Sequence, residues 1–137
     1  MKKRLLYLIL PLITLALEIS PYGAVCNFAR PATDGTIGHF RELYSYFNLL
    51  PFGYANFSPL ITALLTCVIA LLFIIYCLTG KQGWASVAKK FLYVTIAISL
   101  CPLLLGIRFF SVVGALITAS LIAQALFVRL TIEIPAK

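Results

Sequence analysis

One run of 21 residues, from Pro59 to Thr79, contains no charged side chain. A helix that crosses the hydrocarbon core of a bilayer needs about 20 such residues at a rise of about 1.5 Å each. Pro59 suits the first turn of a helix, while Gly80 and Lys81 supply a stop signal and a cation for the C-terminus. The sequence therefore predicts a transmembrane helix over 59–79.

The composition of the whole chain agrees with a membrane location. Hydrophobic residues make up 62% of the 137 residues and charged residues only 11%, whereas a soluble domain carries about a quarter charged residues. A soluble domain of this size could not bury so much apolar surface. Disordered chains are polar and rich in charge. These two classes are excluded, and an integral membrane protein remains.

Three further apolar runs, at about 5–25, 87–105 and 112–130, complete a predicted bundle of four transmembrane helices. The expected fold is all-α, with one membrane domain over 1–137. We interpret the first run as an uncleaved helix bent at Pro11, because no small-x-small cleavage site follows it.

Serine and proline mark the ends of the later helices. Ser58, Ser86 and Ser111 each precede an apolar run and are expected to cap it. Pro102 is expected to kink or terminate the third helix, because proline removes a backbone hydrogen bond.

The distribution of lysine and arginine predicts the orientation, because cytoplasmic loops carry an excess of these residues. With four spans, the three outer cations are Arg30, Arg41 and Arg108. The other eight lie on the side of the termini: Lys2, Lys3, Arg4, Lys81, Lys89, Lys90, Arg129 and Lys137. Both termini are predicted to be cytoplasmic, and the Met-Lys-Lys-Arg start is typical of a bacterial plasma-membrane protein.

The outer loop over 26–58 is the only sizeable segment outside the predicted spans. Its second half has apolar residues at helical spacing, namely Phe40, Leu43, Tyr44, Phe47 and Leu50. We expect a short amphipathic helix lying at the membrane interface. It would serve as an interfacial anchor, which is the more common role of this pattern, or as a docking or gating element.

Glu18 is an acid within the first predicted span. A carboxylate in the hydrocarbon region is costly and usually faces the bundle or a wet cavity. Tyr7, Pro11, Thr14 and Glu18 follow an i, i+4, i+7, i+11 spacing, which places them on one face of a helix. We predict that this face points into the bundle.

Two roles for Glu18 stay open. It could pair with Arg108 or Arg41 to fix helix packing, which we favour because water and headgroups reach an acid at the outer edge. Alternatively, it could couple ion or proton movement. That role predicts a polar cavity reaching Glu18 from threonine and serine side chains of neighbouring helices: Thr62, Thr66, Thr95 or Ser99.

The fourth run carries small and polar side chains at four-residue spacing: Gly114, Ala115, Thr118, Ala119, Ala123 and Gln124. Small residues let helix backbones approach closely in lipid, and a glutamine can hydrogen-bond across the interface. The stripe could mediate dimerisation. More commonly such a stripe packs within its own bundle, here against Ala63, Cys67 and Ala70 of the second span.

Catalysis has little support in the sequence. There is no Ser/His/Asp arrangement, no H-E-x-x-H motif and no Gly-rich phosphate loop. The four cysteines form no C-x-x-C pair and the single histidine stands alone, so no metal site or cofactor is predicted. The cations punctuate apolar runs, so we expect no nucleic-acid partner. We expect a non-enzymatic protein.

Two classes of function follow for this chain. The first is an accessory or structural subunit that acts through helix packing and its outer loop, with the lipid bilayer, itself or another membrane protein as partner. The alternative is a subunit of an oligomeric transporter or channel that uses Glu18, since four helices seldom enclose a pathway alone.

Overall fold

The computed structural model describes residues 2–31, 35–54 and 56–132, and the side chains of Lys2, Lys3 and Ile132 are not among the described atoms. The elements follow one another as α1 (Lys2–Ile19), β1 (Ala24–Pro31), β2 (Ile37–Tyr44), α2 (Leu49–Gly53), α3 (Ser58–Thr79), α4 (Gln82–Ser99), the 3-10 helices η1 (Cys101–Leu105) and η2 (Ile107–Phe109), and α5 (Val112–Ile132).

The four long helices form a ring in chain order. Helix α1 packs against α3, α3 against α4, α4 against α5, and α5 closes the ring on α1. The side chains of Tyr7 and Thr131 meet at the end of the ring where α1 begins and α5 ends, here called the terminal end. The two strands and α2 lie at the opposite end, here called the hairpin end.

Three of these helices are long and apolar enough to cross a membrane. They are Ser58–Thr79, Gln82–Leu105, which comprises α4 and η1, and Val112–Thr131. Less than half of each is buried within the molecule. Large apolar side chains such as Leu64, Leu71, Leu116 and Leu126 point outward. A surface of this kind is stable in lipid, where apolar side chains need no cover from water.

Several predicted helix ends are confirmed. Gly80 adopts the left-handed conformation at φ 70°, and its N–H donates to the Tyr76 carbonyl at 2.8 Å, which ends α3. Ser111 caps α5, since its Oγ accepts a hydrogen bond from the N–H of Gly114 at 2.8 Å. The α-helical part of α4 ends just before Pro102, and a 3-10 helix follows.

Other boundaries differ from the prediction. Helix α1 ends at Ile19 rather than near Val25, because Pro21 follows and the residue before a proline avoids the helical conformation. Helix α4 begins at Gln82, so Ser86 lies inside it and does not cap it. Ser58 is the first residue of α3, and its hydroxyl donates to the Ile98 carbonyl at 2.6 Å.

The all-α prediction is wrong for the outer loop, which contains two β-strands. The stretch predicted as an amphipathic helix forms strand β2, which pairs antiparallel with β1 in a two-stranded sheet. Its apolar residues keep a helical spacing, yet the pairing with β1 makes it a strand and places Phe28 opposite Phe40, with the two stacked ring centroids 5.3 Å apart. Only the five-residue α2 is helical, and Asn48 caps it by accepting from the Leu50 N–H at 2.9 Å.

The core lies inside the ring of helices. Tyr7, Phe73, Tyr76 and Phe127 form an aromatic cluster in the half nearer the termini. Small residues such as Ala63, Ala85 and Ala88 are fully buried where helices approach. Toward the hairpin end, the interior becomes polar, and Glu18 lies there.

Candidate functional site

The inward face of α1 is polar at the hairpin end. Tyr7, Pro11, Thr14 and Glu18 are all buried, which confirms that the four residues share the face that points into the bundle. Each of the three polar side chains meets a hydroxyl from a neighbouring helix, and these contacts define the candidate site.

Glu18 is fully buried, with 0% of its surface exposed. The hydroxyl of Thr66 on α3 donates to its Oε1 at 2.8 Å, and this hydroxyl is also 3.0 Å from the Thr62 carbonyl. The other oxygen, Oε2, has no hydrogen-bond partner among the described residues. Thr62 lies one helical turn away on the same face of α3, and its buried hydroxyl has no partner in this part of the chain either.

The two candidate arginines lie elsewhere. Nη2 of Arg41 donates to the Phe110 carbonyl at 3.2 Å, and Arg108 is exposed on η2. Neither one forms an ion pair or hydrogen bond with Glu18. The carboxyl group therefore has a hydroxyl partner where an arginine was expected.

Tyr46 covers Glu18 at the hairpin end. Its backbone N–H donates to the Glu18 carbonyl at 2.9 Å, and its side chain is only 2% exposed. Burial, together with the nearby Glu18 carboxyl group, raises the pKa of Tyr46. Gly23 lies against the same ring, and Ser111 binds the Gly23 carbonyl. No motif or spacing in the sequence indicates this cover, since Tyr46 lies in the loop between β2 and α2.

Two further hydroxyl pairs continue the polar interior toward the termini. The hydroxyls of Thr14 and Ser120 are hydrogen-bonded at 2.7 Å, and the Tyr7 hydroxyl donates to Thr131 at 2.7 Å. Gln124 lies on α5 between Ser120 and Thr131. Its side chain is buried, and both its amide nitrogen and oxygen lack a partner within the described residues.

The small residues of α5 divide between two faces. Gly114, Thr118 and Gln124 are buried, and the Thr118 hydroxyl donates to Ser99 on α4 at 3.1 Å. The alanines point outward: Ala115, Ala119 and Ala123. The neighbours of α5 are α4 and α1, so the expected packing against Ala63, Cys67 and Ala70 of α3 is wrong.

The other two residues predicted to line a cavity, Thr95 and Ser99 on α4, are also buried. Their hydroxyls are taken up by their own helix, with Thr95 donating to the Phe91 carbonyl at 2.7 Å and Ser99 to the Ile96 carbonyl at 2.8 Å. Helix α1 has its main contacts with α3 and α5. The structure therefore joins Glu18 to Thr66 on α3, while the hydroxyls of Thr95 and Ser99 donate within α4.

The hairpin has one end seated on the bundle and one end free. Ala24, Val25 and Cys26 are buried, and Nδ2 of Asn56 donates to the Val25 carbonyl at 3.1 Å. Beyond them, β1 becomes exposed, and β2 is exposed from Ile37 to Leu43. The Tyr44 hydroxyl donates to Glu42, and this bond raises the pKa of Tyr44 to about 12.

Within the described ranges, no three His, Cys, Asp or Glu side chains gather closely enough to hold a metal ion. Comparison of the chain with known family models, curated proteins and solved structures finds no match. The site itself is therefore the basis for assigning a function.

Proposed function

We propose that this chain is a four-span membrane protein that acts as an accessory or interaction subunit, with its outer hairpin as the contact surface. The observation that carries the proposal is the exposure of β2. Strand β2, which carries Ile37, Phe40 and Leu43, is exposed from Ile37 to Leu43, while the bundle interior around Glu18 is closed to solvent.

Helix α1 is proposed as the fourth span. Its 18 residues extend about 27 Å, which is close to the thickness of the hydrocarbon core. It packs along two helices that are themselves apolar enough to span, and Cys77 near the end of α3 donates its thiol hydrogen to the Arg4 carbonyl at 3.1 Å. The positive start of α1 thus lies beside the turn between α3 and α4, where Lys81 is found.

This arrangement supports a cytoplasmic position for both termini in a bacterial plasma membrane. The guanidinium group of Arg4 lies against Gly80, next to Lys81. Arg30 and Arg41 lie on the hairpin at the other end. Since cations accumulate on the cytoplasmic side, the end with the termini faces inward and the hairpin faces outward.

The hairpin is suited to protein contact in two ways. A two-stranded sheet has unpaired backbone groups along its edges, which another strand can join. Its exposed side chains include Ile37, Phe40 and Leu43, and Tyr54 packs edge-on against the ring of Phe28 beside them. The partner would be another membrane protein or a second copy of this chain.

A photo-crosslinking amino acid at Phe40 tests this function in intact cells. Phe40 is 42% exposed on β2, and Tyr93, which is 49% exposed in the middle of α4, is the matched control. We expect the probe at Phe40 to give a protein adduct of one discrete mass, and the probe at Tyr93 to label lipid. If the Phe40 probe labels only lipid, the hairpin is an interfacial anchor and the proposal is wrong.

A subunit of an oligomeric transporter or channel is a second candidate, and one observation favours it. Glu18 is buried with no cationic partner among the described residues, and acids placed this way inside membrane bundles commonly mark ion or proton pathways. Flux of protons or monovalent cations into vesicles that contain the protein should then be lost in Glu18→Gln. Equal flux in the wild type and Glu18→Gln would exclude this candidate.

A further inference from the structure

We infer that Glu18 is a reversible proton-binding site inside the bundle, with the proton held on Oε2. The inference rests on the second candidate function and names its ion. The geometry is the basis for it: Oε1 accepts a hydrogen bond from Thr66, while Oε2 is buried and unpartnered in the described part of the chain.

The ligand is a proton rather than a metal cation. A monovalent or divalent cation held by a carboxylate needs several further oxygen ligands and space for the ion. Glu18 has no exposed surface, and among the described residues no group of three His, Cys, Asp or Glu side chains gathers to hold a metal ion. A proton needs no cavity. An ionised carboxylate that is buried with only one hydroxyl donor is costly in free energy, and protonation removes that cost.

The side chains described below as neighbours of Glu18 carry no positive charge, so a proton is what neutralises the negative charge of its carboxylate. Tyr46 approaches from the hairpin end and Cys67 from α3, and both are close enough to interact electrostatically with the carboxyl group. Neither side chain carries a positive charge in any protonation state. From α5, the uncharged Ser120 lies next to this part of α1 and its hydroxyl is bonded to Thr14.

The hydroxyl pairs below Glu18 extend the site toward the termini. Thr14 and Tyr7 precede Glu18 by four and eleven residues on one face of α1, and the eleven residues span about 16 Å. Each is bonded to a hydroxyl of α5. The amide of Gln124, which has no partner among the described residues, lies between the two pairs along that helix. Uptake transfers a proton from hydronium at the hairpin end to Oε2, which forms the O–H bond and leaves water. Release breaks that bond and returns the proton to water as hydronium.

Infrared difference spectroscopy on the full chain in phosphatidylcholine and phosphatidylglycerol vesicles tests the inference. A protonated carboxylic acid has a carbonyl stretch that a carboxylate lacks. We expect a pH-dependent band of this kind in the wild type, its loss in Glu18→Gln, and its retention in Glu42→Gln, which removes an acid from the exposed hairpin. Thr66→Val should move the band to higher wavenumber, because Oε1 loses its hydrogen-bond donor.

Three results would overturn the inference. They are a band that does not change with pH, a difference spectrum that is the same in Glu18→Gln as in the wild type, and a band that Thr66→Val leaves at the same wavenumber. Ion flux without a titrating Glu18 would overturn the inference while supporting the second candidate function. A titrating Glu18 without flux would support the inference and exclude that function.

Discussion

Thr14 on α1 and Ser120 on α5 are joined by a hydrogen bond of 2.7 Å between their hydroxyl groups. The two residues are separated by 106 positions in the chain, so the bond closes the ring of helices between its first and last members. Together with the bond from Tyr7 to Thr131, it makes α1 a constituent of the bundle rather than a helix attached to its side.

Breaking this bond should destabilise the bundle modestly. Hydrogen bonds between membrane helices contribute about 0.6 kcal/mol on average, with a maximum of about 1.7 kcal/mol. We expect Thr14→Val and Ser120→Ala each to lower the free energy of unfolding in mixed micelles. The double variant should lose less than the sum of the two, since both changes remove one bond. Strictly additive losses would show that the two hydroxyls do not interact.

Gly23→Ala is expected to destabilise the cover over Glu18. A Cβ atom at Gly23 would lie 2.8 Å from Cδ1 of the Tyr46 ring, which is rigid and 2% exposed. Overpacking of this kind costs about 1 to 3 kcal/mol, and it should lower the midpoint of thermal unfolding in detergent.

Gly53→Ala is the matched control for that change, because nothing lies within 4 Å of a Cβ atom at Gly53. We expect little change in its thermal midpoint. If Gly23→Ala unfolds at the same temperature as Gly53→Ala, Tyr46 does not pack on Gly23 as the structure describes.

Helices with strong local signals could be predicted from the sequence. The charge-free run of α3 between Pro59 and Gly80 predicts a helix, because a single apolar segment in lipid can pair its own backbone groups only as a helix. Pro102 and Ser111 act on their own backbone neighbours, so their effects are also visible locally.

The hairpin could not be predicted, because strand pairing depends on residues that are distant in sequence. The segment around Phe40 and Tyr44 has its apolar residues at helical spacing, so the local pattern predicts a helix. The segment becomes a strand because β1 pairs with it in register from Ala24 to Pro31. Likewise, no local feature separates Thr66 from Arg108 as the partner of Glu18, since that choice depends on which helices become neighbours.

Cysteine labelling in intact cells should reveal the proposed orientation. In a background without the native cysteines, Ala29→Cys on the exposed part of β1 should react with a membrane-impermeant maleimide. Gly83→Cys, in the first turn of α4 with open space around it, should react only after the cells are permeabilised. The reverse pattern would invert the topology. Labelling of both sites in intact cells would place the two ends of the bundle on one side of the membrane, contrary to four spans.

The bond between Tyr44 and Glu42 should be visible as a high-pH titration of the hairpin. The hydrogen bond to Glu42 is the main cause that raises the pKa of Tyr44 to about 12, from an ordinary value of about 10. The raised pKa means that the folded hairpin favours the neutral phenol. This stabilisation is present below about pH 10 and is lost as the pH rises through about 12.

The measurement for this titration is the tyrosinate absorbance of the protein in detergent, with the curve of Tyr44→Phe subtracted to isolate one of the seven tyrosines. In Glu42→Gln, the negative charge is absent and the acceptor is weaker, so the midpoint of Tyr44 should fall toward its ordinary value. An unchanged midpoint in Glu42→Gln would mean that Glu42 does not hold the Tyr44 hydroxyl.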